Sequence, residues 1–311
     1  MGASALTSTK LFCRALTLTV ACPTNVDVFM QAQFNDTSST GLDISGLDVE
    51  FVVEKSLKAG EFNTCAIKVY NLAPESRQML SGAAAPLTVK LEAGYAGGTS
   101  QLYFAGARAA WTTREGPNFI THIESTDTIA RPTGVKATNK INPNAVGGSV
   151  YRTTGARIPL KQAFQSIATQ LGIDEGNLQQ AMGNLYGAPI TSVNAAALVG
   201  NGAKRMTDLC RSAGLEWSIQ DGGLQLLNIG KALSTTSAIQ LDSTTGLIES
   251  PSVDSQGVLT IKSLLIPGIA PGVLLNVNSL FVQGGYRVEK VRYAGNTVGQ
   301  EWYAEMTAVK Y

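Results

Sequence analysis

Apolar and polar residues alternate with a period of two along much of the first third of the chain. At residues 47–54 apolar Leu, Val and Phe alternate with Asp and Glu, and residues 64–70 and 87–92 repeat the pattern with Thr, Lys, Tyr and Glu on the polar side. Shorter apolar runs follow at 101–105 and 118–124. Because successive side chains of a strand point to opposite faces, this pattern predicts an antiparallel sheet or barrel with one face in water.

Two segments depart from the strand pattern. Pro74 lies just after Asn-Leu-Ala, and the residues that follow predict a short helix to about Leu80 that ends before Gly82. Residues 126–156 show little periodicity and contain Pro132, Pro143 and several Gly, Asn and Thr residues. They are predicted to form a linker or a long extended arm.

The middle of the chain changes to a helical period. Apolar residues at 160, 163, 164, 167, 168 and 171 form one stripe, with Pro159 at its start and Gly172 just past its end. A second helix is predicted over residues 206–213 and is stopped by Gly214. Strands at 215–220 and 224–229 are separated by Asp-Gly-Gly, which predicts a hairpin. Two helices and a hairpin make a small α+β unit whose apolar stripes are core faces.

The last third returns to strands. They are predicted at 258–265, 273–277, 286–293 and 301–309, and residues 294–299 form the last hairpin loop. The predicted fold class is mainly β, α+β overall, with two antiparallel β barrels around a small α+β module. The predicted domains are 1–125 (first β barrel), 126–156 (linker or arm), 157–232 (α+β) and 233–311 (second β barrel).

No apolar segment of the sequence predicts insertion into a membrane. Residues 15–22, after Lys10 and Arg14, faintly resemble a signal peptide, but Thr recurs between the apolar residues and favours a half-buried strand. The longest apolar stretch, 258–277, contains a lysine and two prolines and is too interrupted to span a bilayer. We expect a soluble protein without membrane insertion that is not secreted by the classical route.

The four cysteines are scattered at Cys13, Cys22, Cys65 and Cys210. No two form a CxxC pair, and no nearby His completes a zinc pattern. The spacing predicts free thiols in a reducing cytosol and leaves a Cys13–Cys22 disulfide open.

Composition narrows the function class only a little. Charged residues make up 15% of the chain, hydrophobic residues 44%, and the net charge is +1. This excludes a disordered tail and lacks the concentrated basic face of a nucleic-acid binder. It fits a protein whose surface is largely covered by partners and an ordinary neutral globular protein equally well.

The chain offers few residues for catalysis. His122 is the single histidine, on a predicted strand, and any Ser-His-Asp or Cys-His mechanism would pass through it; a structural role is the stronger interpretation. Residues 200–205 (Gly-Asn-Gly-Ala-Lys-Arg) match neither a dinucleotide fingerprint nor a P-loop, and Asn201 and Gly202 are predicted to begin a helix. We assign no catalytic, cofactor-binding or metal residues and no cofactor. A pair of carboxylates for glycoside hydrolysis stays an open possibility, because such residues meet in space and not in sequence.

Several segments resemble the baseplate hub proteins of bacteriophage tails. Residues 52–57 (Val-Val-Glu-Lys-Ser-Leu), residues 63–72 (Asn-Thr-Cys-Ala-Ile-Lys-Val-Tyr-Asn-Leu) and Arg77 resemble the first barrel of that family, with a strand that closes in Tyr-Asn-Leu before a short helix. Further similar segments are 91–95 with 103–106, the proline- and glycine-rich turn at 264–272, and the terminal hairpin at 285–288 and 299–303. The motifs are structural and carry no catalytic residues.

The resemblance implies a fold and a set of partners. Such hubs are homotrimers with two tail-tube-like barrels per subunit, so that six barrels join the sixfold tail tube to the threefold central spike. It also implies a contractile tail, contacts with baseplate wedge and tape-measure proteins, and genomic DNA that passes only transiently during ejection. The expected location is the virion baseplate, with assembly in the host cytoplasm.

Two other functions stay open at the level of sequence. A tail-associated peptidoglycan hydrolase would need a substrate cleft, for which the small α+β unit has little room. The hub-like base of a contractile secretion-system spike shares the same barrels, and it usually continues into a β-helical needle. We expect any needle here to be a separate polypeptide.

Overall fold

The fold was determined as a computed structural model, which describes residues 13–21, 41–82, 87–127, 157–183, 192–194, 202–234 and 236–311. Most of the predicted linker at 126–156, Cys22 with its proposed disulfide, and the predicted helix cap at Asn201 lie outside the described residues.

Strands dominate the described part of the chain. In chain order they are β1 Arg14–Ala21, β2 Gly41–Ile44, β3 Val49–Ser56, β4 Thr64–Tyr70, β5 Leu87–Tyr95, β6 Gly98–Glu115, β7 Asn118–Thr126, β8 Arg157–Pro159, β9 Ser192–Asn194, β10 Leu215–Gln220, β11 Gly223–Asn228, β12 Ile239–Leu241, β13 Ser252–Val253, β14 Val258–Leu264, β15 Leu274–Asn278, β16 Gln283–Asn296 and β17 Trp302–Lys310. The helices are α1 Pro74–Ser81, α2 Leu160–Leu171, α3 Leu178–Gly183 and α4 Gly202–Ala213.

One sheet contains strands from both ends of the chain. Its order is β13-β14-β17-β16-β3-β4-β7-β6-β5-β1-β2, with β15 also on β16 and β12 on β15. We call β1–β7 with α1 the N-terminal β module, β12–β17 the C-terminal β module, and the part between them the central module. The two β modules meet where β16 pairs with β3, in antiparallel register.

The two β modules repeat one strand order. The path β3-β4-β7-β6-β5-β1 in the first corresponds to β13-β14-β17-β16-β15-β12 in the second. In each, a long strand (β6 or β16) pairs with the strand before it and the strand after it, and the ladder to the following strand shifts register once. The modules differ at one edge, because β1 pairs antiparallel with β5 whereas β12 pairs parallel with β15.

One apolar core runs through both β modules. The inward residues of β3, such as Phe51 and Val53, are nearly inaccessible, as are Ile67 of β4, Tyr293 of β16 and Met306 of β17. All five belong to one continuous cluster. Burial of each such side chain stabilises the fold by about 1.5–3 kcal/mol, so the modules support each other through the core as well as through the ladder.

The central module has a core of its own. The stripe of α2 packs with α4 and with the hairpin β10–β11, which places Phe164, Met206 and Trp217 in one cluster. The α2 helix ends at Gly172 in the left-handed region, with φ 73°. Gly176 is also left-handed, and a Cβ there would lie 1.9 Å from the Leu224 carbonyl oxygen, so the backbone needs glycine at this contact.

The structure confirms the mainly β fold class with antiparallel sheets. The helices expected from residues 74–80, 160–171 and 206–213, and the hairpin at 215–229, are present. Two strands were predicted too short: β6 continues to Glu115 and β16 begins at Gln283. Helix α3 and the short strands β2, β8, β9, β12 and β13 were not predicted. The direct join between the two β modules was not predicted either, and the assigned domain boundaries stay a prediction.

Candidate functional site: the joined face of the two β modules

The junction between the β modules is built by a strand that changes partner midway. The first part of β16 pairs with β15, and its second part, from Lys290 to Asn296, pairs with β3 from Ser56 to Glu50. The change occurs at Glu289, where the ladder to β17 shifts register. The Leu57 amide donates to the Glu289 carbonyl at 2.8 Å, which continues the ladder past the end of β3. A bulge bends a strand and increases its twist, and this allows one strand to serve two modules.

The inner side of the junction requires a glycine. Gly295 lies opposite Phe51 in the ladder and opposite Trp302 in the hairpin. The rings of Phe51 and Trp302 meet edge to face, with centroids 5.7 Å apart. They fill the space that a side chain at 295 would occupy, so a residue from each module closes the core across the join.

The outer side of the same strands forms one face that crosses both modules. We call it the joined face: the solvent-facing side chains of β6, β7, β4, β3, β16, β17 and β14. Cross-strand neighbours at its centre are Ala66, Val52 and Ala294 on β4, β3 and β16. Of these, Ala66 is exposed, Val52 is half-buried and Ala294 is fully buried beneath its neighbours. Small and aliphatic residues therefore lie at the centre of the face, with charged residues around them.

Charges on the joined face neutralise each other. Lys68 contacts Glu50 at 3.2 Å, and Arg292 lies between Glu54 and Glu305 at 3.7 and 3.1 Å. Further along, Lys262 lies 3.5 Å from Glu249 and 3.9 Å from Glu305, while Lys290 lies 2.8 Å from Glu61. Each of these four basic side chains therefore has a carboxylate partner. These pairs are largely exposed and add little to stability, so their main effect is a low net field over the surface.

The joined face is concave over the junction. A cleft of about 620 Å³ lies there between β3, β16, β17 and β14. Its lining alternates in charge, and includes Glu54, Lys262, Arg292 and Glu305. A concave surface whose charges neutralise each other can face an aqueous channel, and it offers no concentrated charge to hold a ligand.

A loop carboxylate ties the β3–β4 connection to β16. Glu61 accepts hydrogen bonds from Lys290, Lys58 and Ser56, and these bonds lower the pKa of Glu61 to about 2. The Ser56 hydroxyl donates at 2.8 Å and both lysine ammonium groups lie at 2.8 Å. Glu61 therefore links the two modules through an ion pair with Lys290, and this ion pair exists only while Glu61 is ionised.

The pKa of Glu61 predicts a specific loss of stability in acid. A folded pKa below the unfolded value of 4.5 means that the contribution is fully present above pH 4.5 and is lost as the pH falls toward about 2. We expect the difference in urea midpoint between wild type and Glu61→Gln to shrink between pH 5.5 and pH 2.5. The matched control is Glu249→Gln, on an exposed carboxylate with one long contact to Lys262. A Glu61→Gln difference that is constant over this pH range would contradict the assignment.

The central module is attached to the N-terminal β module by polar groups that are buried or partly buried. The carboxylate of Asp221, at the tip of the β10–β11 hairpin, accepts from the Lys55 ammonium at 2.8 Å and from the Phe104 amide at 3.1 Å. The Lys55 side chain is only 5% exposed. Asn63, which is fully buried, accepts from the Ser56 amide at 3.0 Å and donates to the Ile219 carbonyl at 2.9 Å.

A buried arginine attaches the central module to the C-terminal β module. Arg287 on β16 donates to Glu216 on β10, to Glu289 at 2.9 Å and to the Lys231 carbonyl at 3.1 Å. Its side chain is 7% exposed. Charge-assisted hydrogen bonds thus attach the central module to both β modules and fix its orientation relative to the joined face.

His122 lies at the N-terminal end of the joined face. Its ring stacks on Trp111 with centroids 5.1 Å apart, and its Nε2 lies 2.9 Å from the Thr113 hydroxyl. No carboxylate hydrogen bond to this ring is present among the described residues, so the geometry is that of a cross-strand structural pair and not of a catalytic triad.

Other candidates from the sequence do not assemble into a site. Among the described residues, no group of three or more His, Cys, Asp or Glu side chains could hold a metal ion. Gly202 is the first residue of α4, while residues 200 and 201 lie outside the description. Cys65 and Cys210 are buried free thiols, and burial raises the pKa of both. In the part of the chain that is described, no helix combines the length and apolarity needed to cross a membrane.

Comparison with known proteins identifies a fold. No protein-family model matches the chain, and no curated protein matches it in sequence. Two solved structures overlap it over nearly its full length. The 43 kDa tail protein of prophage MuSo2 from Shewanella oneidensis has a TM-score of 0.56 at 8% identity, covering 95% of this chain and 97% of that chain. The tail protein from Neisseria meningitidis MC58 also has a TM-score of 0.56 at 8% identity, covering 96% of each chain.

These two comparisons show that the chain shares the fold of phage tail proteins. A third solved structure, a component of the type VI secretion system of E. coli, matches at a TM-score of 0.44 and 11% identity, over 86% of this chain and 74% of that chain. That overlap is too low to define a shared fold. At 8% identity the tail proteins share an architecture with this chain and no residue roles follow from them.

Proposed function

We propose that this chain is a structural subunit of a bacteriophage tail, the baseplate hub, and that it acts through interfaces and not through a catalytic site. Three copies form a ring that joins the sixfold tail tube to the threefold central spike. The ring lets genomic DNA pass during ejection. Its working location is the tail baseplate of the virion, after assembly in the host cytoplasm.

The observation that carries the proposal is the edge-to-edge join of two β modules with one strand order. A chain that holds two equivalent modules side by side already contains one of the junctions that a six-module ring needs. A trimer of such chains presents six modules to a sixfold partner and three chains to a threefold partner, which resolves the symmetry mismatch between tube and spike. The shared fold with two phage tail proteins supports the same function.

The chemistry of the joined face fits the lining of a DNA channel. Neutralised phosphates add affinity, and a channel must not hold its cargo. The four basic side chains described above each contact a carboxylate, so DNA would meet no unpaired cationic row there. We place this face toward the ring axis for that reason.

The other partners belong to the same proposal. The tail tube protein and the central spike protein bind opposite ends of the ring. The central module, clamped on the side of the ring, would face baseplate wedge proteins, and the tape-measure protein would end at the pore.

Native mass spectrometry of the full chain tests the proposal. We expect an assembly of three chains of 32.7 kDa each, alone or upon addition of tube and spike proteins. A monomer under all of these conditions would overturn the proposal. Loss of turbidity of a peptidoglycan suspension treated with the pure protein would instead favour a tail hydrolase, and it would disappear in carboxylate variants.

A further inference from the structure

The repeat of the two β modules holds at the level of single residues. Both long strands shift register once against the following strand, at Arg108 in β6 and at Glu289 in β16. Aligned on this shift, residues 109–115 correspond to residues 290–296. The same alignment, carried through the ladders to β4 and β14, matches residues 52 and 53 of β3 with residues 252 and 253 of β13.

The corresponding edges differ in what covers them. Residues 290–296 pair with β17 on one side and with β3 on the other. Residues 109–115 pair with β7 on one side, and no strand of the described chain pairs with their other side. As a result Tyr293 and Ala294 are fully buried, whereas their counterparts Thr112 and Thr113 are only half-buried and Trp111 is exposed.

β13, the counterpart of β3, also has an edge that no described strand pairs with. β3 lies between β16 and β4, while β13 is the last strand of the sheet path and, in the part of the chain that the structure describes, pairs with β14 alone. Ser252 and Val253 are both exposed, with 49% of Val253 accessible. Among the described residues, each chain therefore has one edge of the β16 type and one of the β3 type that no strand pairs with, and these two edge types fit each other at the junction within the chain.

We infer that the open edge of β6 pairs with β13 of a second copy, in the register of the intrachain junction. This inference rests on the proposed ring and names the strands that close it. In the junction Val53 faces Tyr293 and Val52 faces Ala294. The corresponding contacts between chains place Thr112 opposite Val253 and Thr113 opposite Ser252.

The hydrogen bonds of the junction show which cross-strand pairs exchange backbone hydrogen bonds and which do not. The Leu57 amide donates to Glu289, and the Thr297 amide donates to Val49, so odd-numbered residues of β3 face β16. By correspondence the amide and carbonyl of Val253 point to the neighbouring chain, and Thr113 with Ser252 forms a pair without mutual hydrogen bonds. The counterpart of Phe51 is Pro251, which has no donor. We expect the ladder between chains to be weaker than the ladder within the chain, because β13 also spans only two residues.

The contact is heterologous, because one chain contributes β6 and the next contributes β13. Such contacts close into a ring when the rotation is a fraction of a full turn. With three chains, three junctions within chains alternate with three between chains, and the joined face becomes one continuous sheet surface around the axis.

A cysteine pair tests the register. In a background with Cys13→Ser and Cys22→Ser, the full chain carries Thr113→Cys and Ser252→Cys. Antiparallel pairs without mutual hydrogen bonds have Cα atoms about 4.5 Å apart, which a disulfide can bridge. We expect mild oxidation to convert more than half of the chains to reducible covalent oligomers of up to three chains. The control Thr113→Cys with Val253→Cys places the thiols on opposite faces and should cross-link at least fivefold less.

Two further results separate this inference from the proposed function. A trimer by native mass spectrometry without the Thr113–Ser252 cross-link, or equal cross-linking in the control, overturns the inference and leaves the hub proposal standing. A monomer in the presence of tube and spike proteins overturns both. Val253→Pro, which removes the edge donor, should weaken trimer formation at least tenfold, whereas Val253→Thr should not; equal assembly of these two variants would also overturn the inference.

Discussion

Asp221→Asn is expected to lower the free energy of unfolding by about 3 kcal/mol, because it leaves the Lys55 ammonium buried without a counter-charge. Lys55 is 5% exposed and its ammonium lies 2.8 and 3.0 Å from the two carboxylate oxygens of Asp221. Asparagine tolerates the positive φ of this turn position, 53°, so the backbone is not the cause of the loss. Urea denaturation followed by tryptophan fluorescence measures the effect.

Two variants separate the buried pair from a general charge effect. Glu50→Gln removes the carboxylate from the exposed Lys68 pair and should cost about 1 kcal/mol or less. Lys55→Met combined with Asp221→Asn should regain most of the loss, since the buried charge is then gone. If Asp221→Asn cost no more than Glu50→Gln, the central module would not depend on this bond for its attachment.

Gly295→Ala is expected to cost about 2–3 kcal/mol, because the added methyl group overfills the core at the join of the two β modules. A Cβ at 295 would lie 2.3 Å from two ring carbons of Phe51 and 3.1 Å from Trp302. Phe51 is 1% exposed and packs against Trp302, so its ring has little space to move into. The same denaturation experiment reports the change.

The control is a second glycine on the same strand. A Cβ at Gly285 would meet its nearest atoms at 3.8 and 3.9 Å, which is ordinary contact, so Gly285→Ala should change stability by less than about 0.5 kcal/mol. Phe51→Leu in the Gly295→Ala background should cost less than the sum of the single variants, because the smaller side chain leaves room for the methyl group. Additive effects would mean that residue 295 does not contact Phe51 as described.

Local patterns in the sequence predicted most of the longer helices and strands. They did not predict the pairing of β3 with β16 that joins the two β modules. The stripe of α2 is visible because a helix repeats its apolar face every three to four residues, and the flanking Pro159 and Gly172 mark its ends. The second half of β6 was not predicted as a strand, because residues 109–115 do not alternate regularly between apolar and polar side chains. Among the described residues, no strand pairs with one edge of this half.

The candidate site depends on pairings between residues far apart in the chain. Lys290 and Ser56 are neighbours in the ladder but lie in different thirds of the sequence. Edge pairing uses backbone N–H and C=O groups, which all residues except proline carry in full, so an alternating side-chain pattern does not by itself identify the partner strand. Gly295 could have been singled out as a glycine within a strand, which often marks a close approach. His122 was expected to have a structural role, and the structure places it in a stack with Trp111.

Electron cryomicroscopy of the full chain, assembled with tube and spike proteins, tests the central claim most directly. We predict a threefold ring of six β modules around an open pore, with the joined face, including Lys68, Arg292 and Lys262, lining that pore. A ring with this face on its outer surface, or an assembly without a pore, would contradict the account.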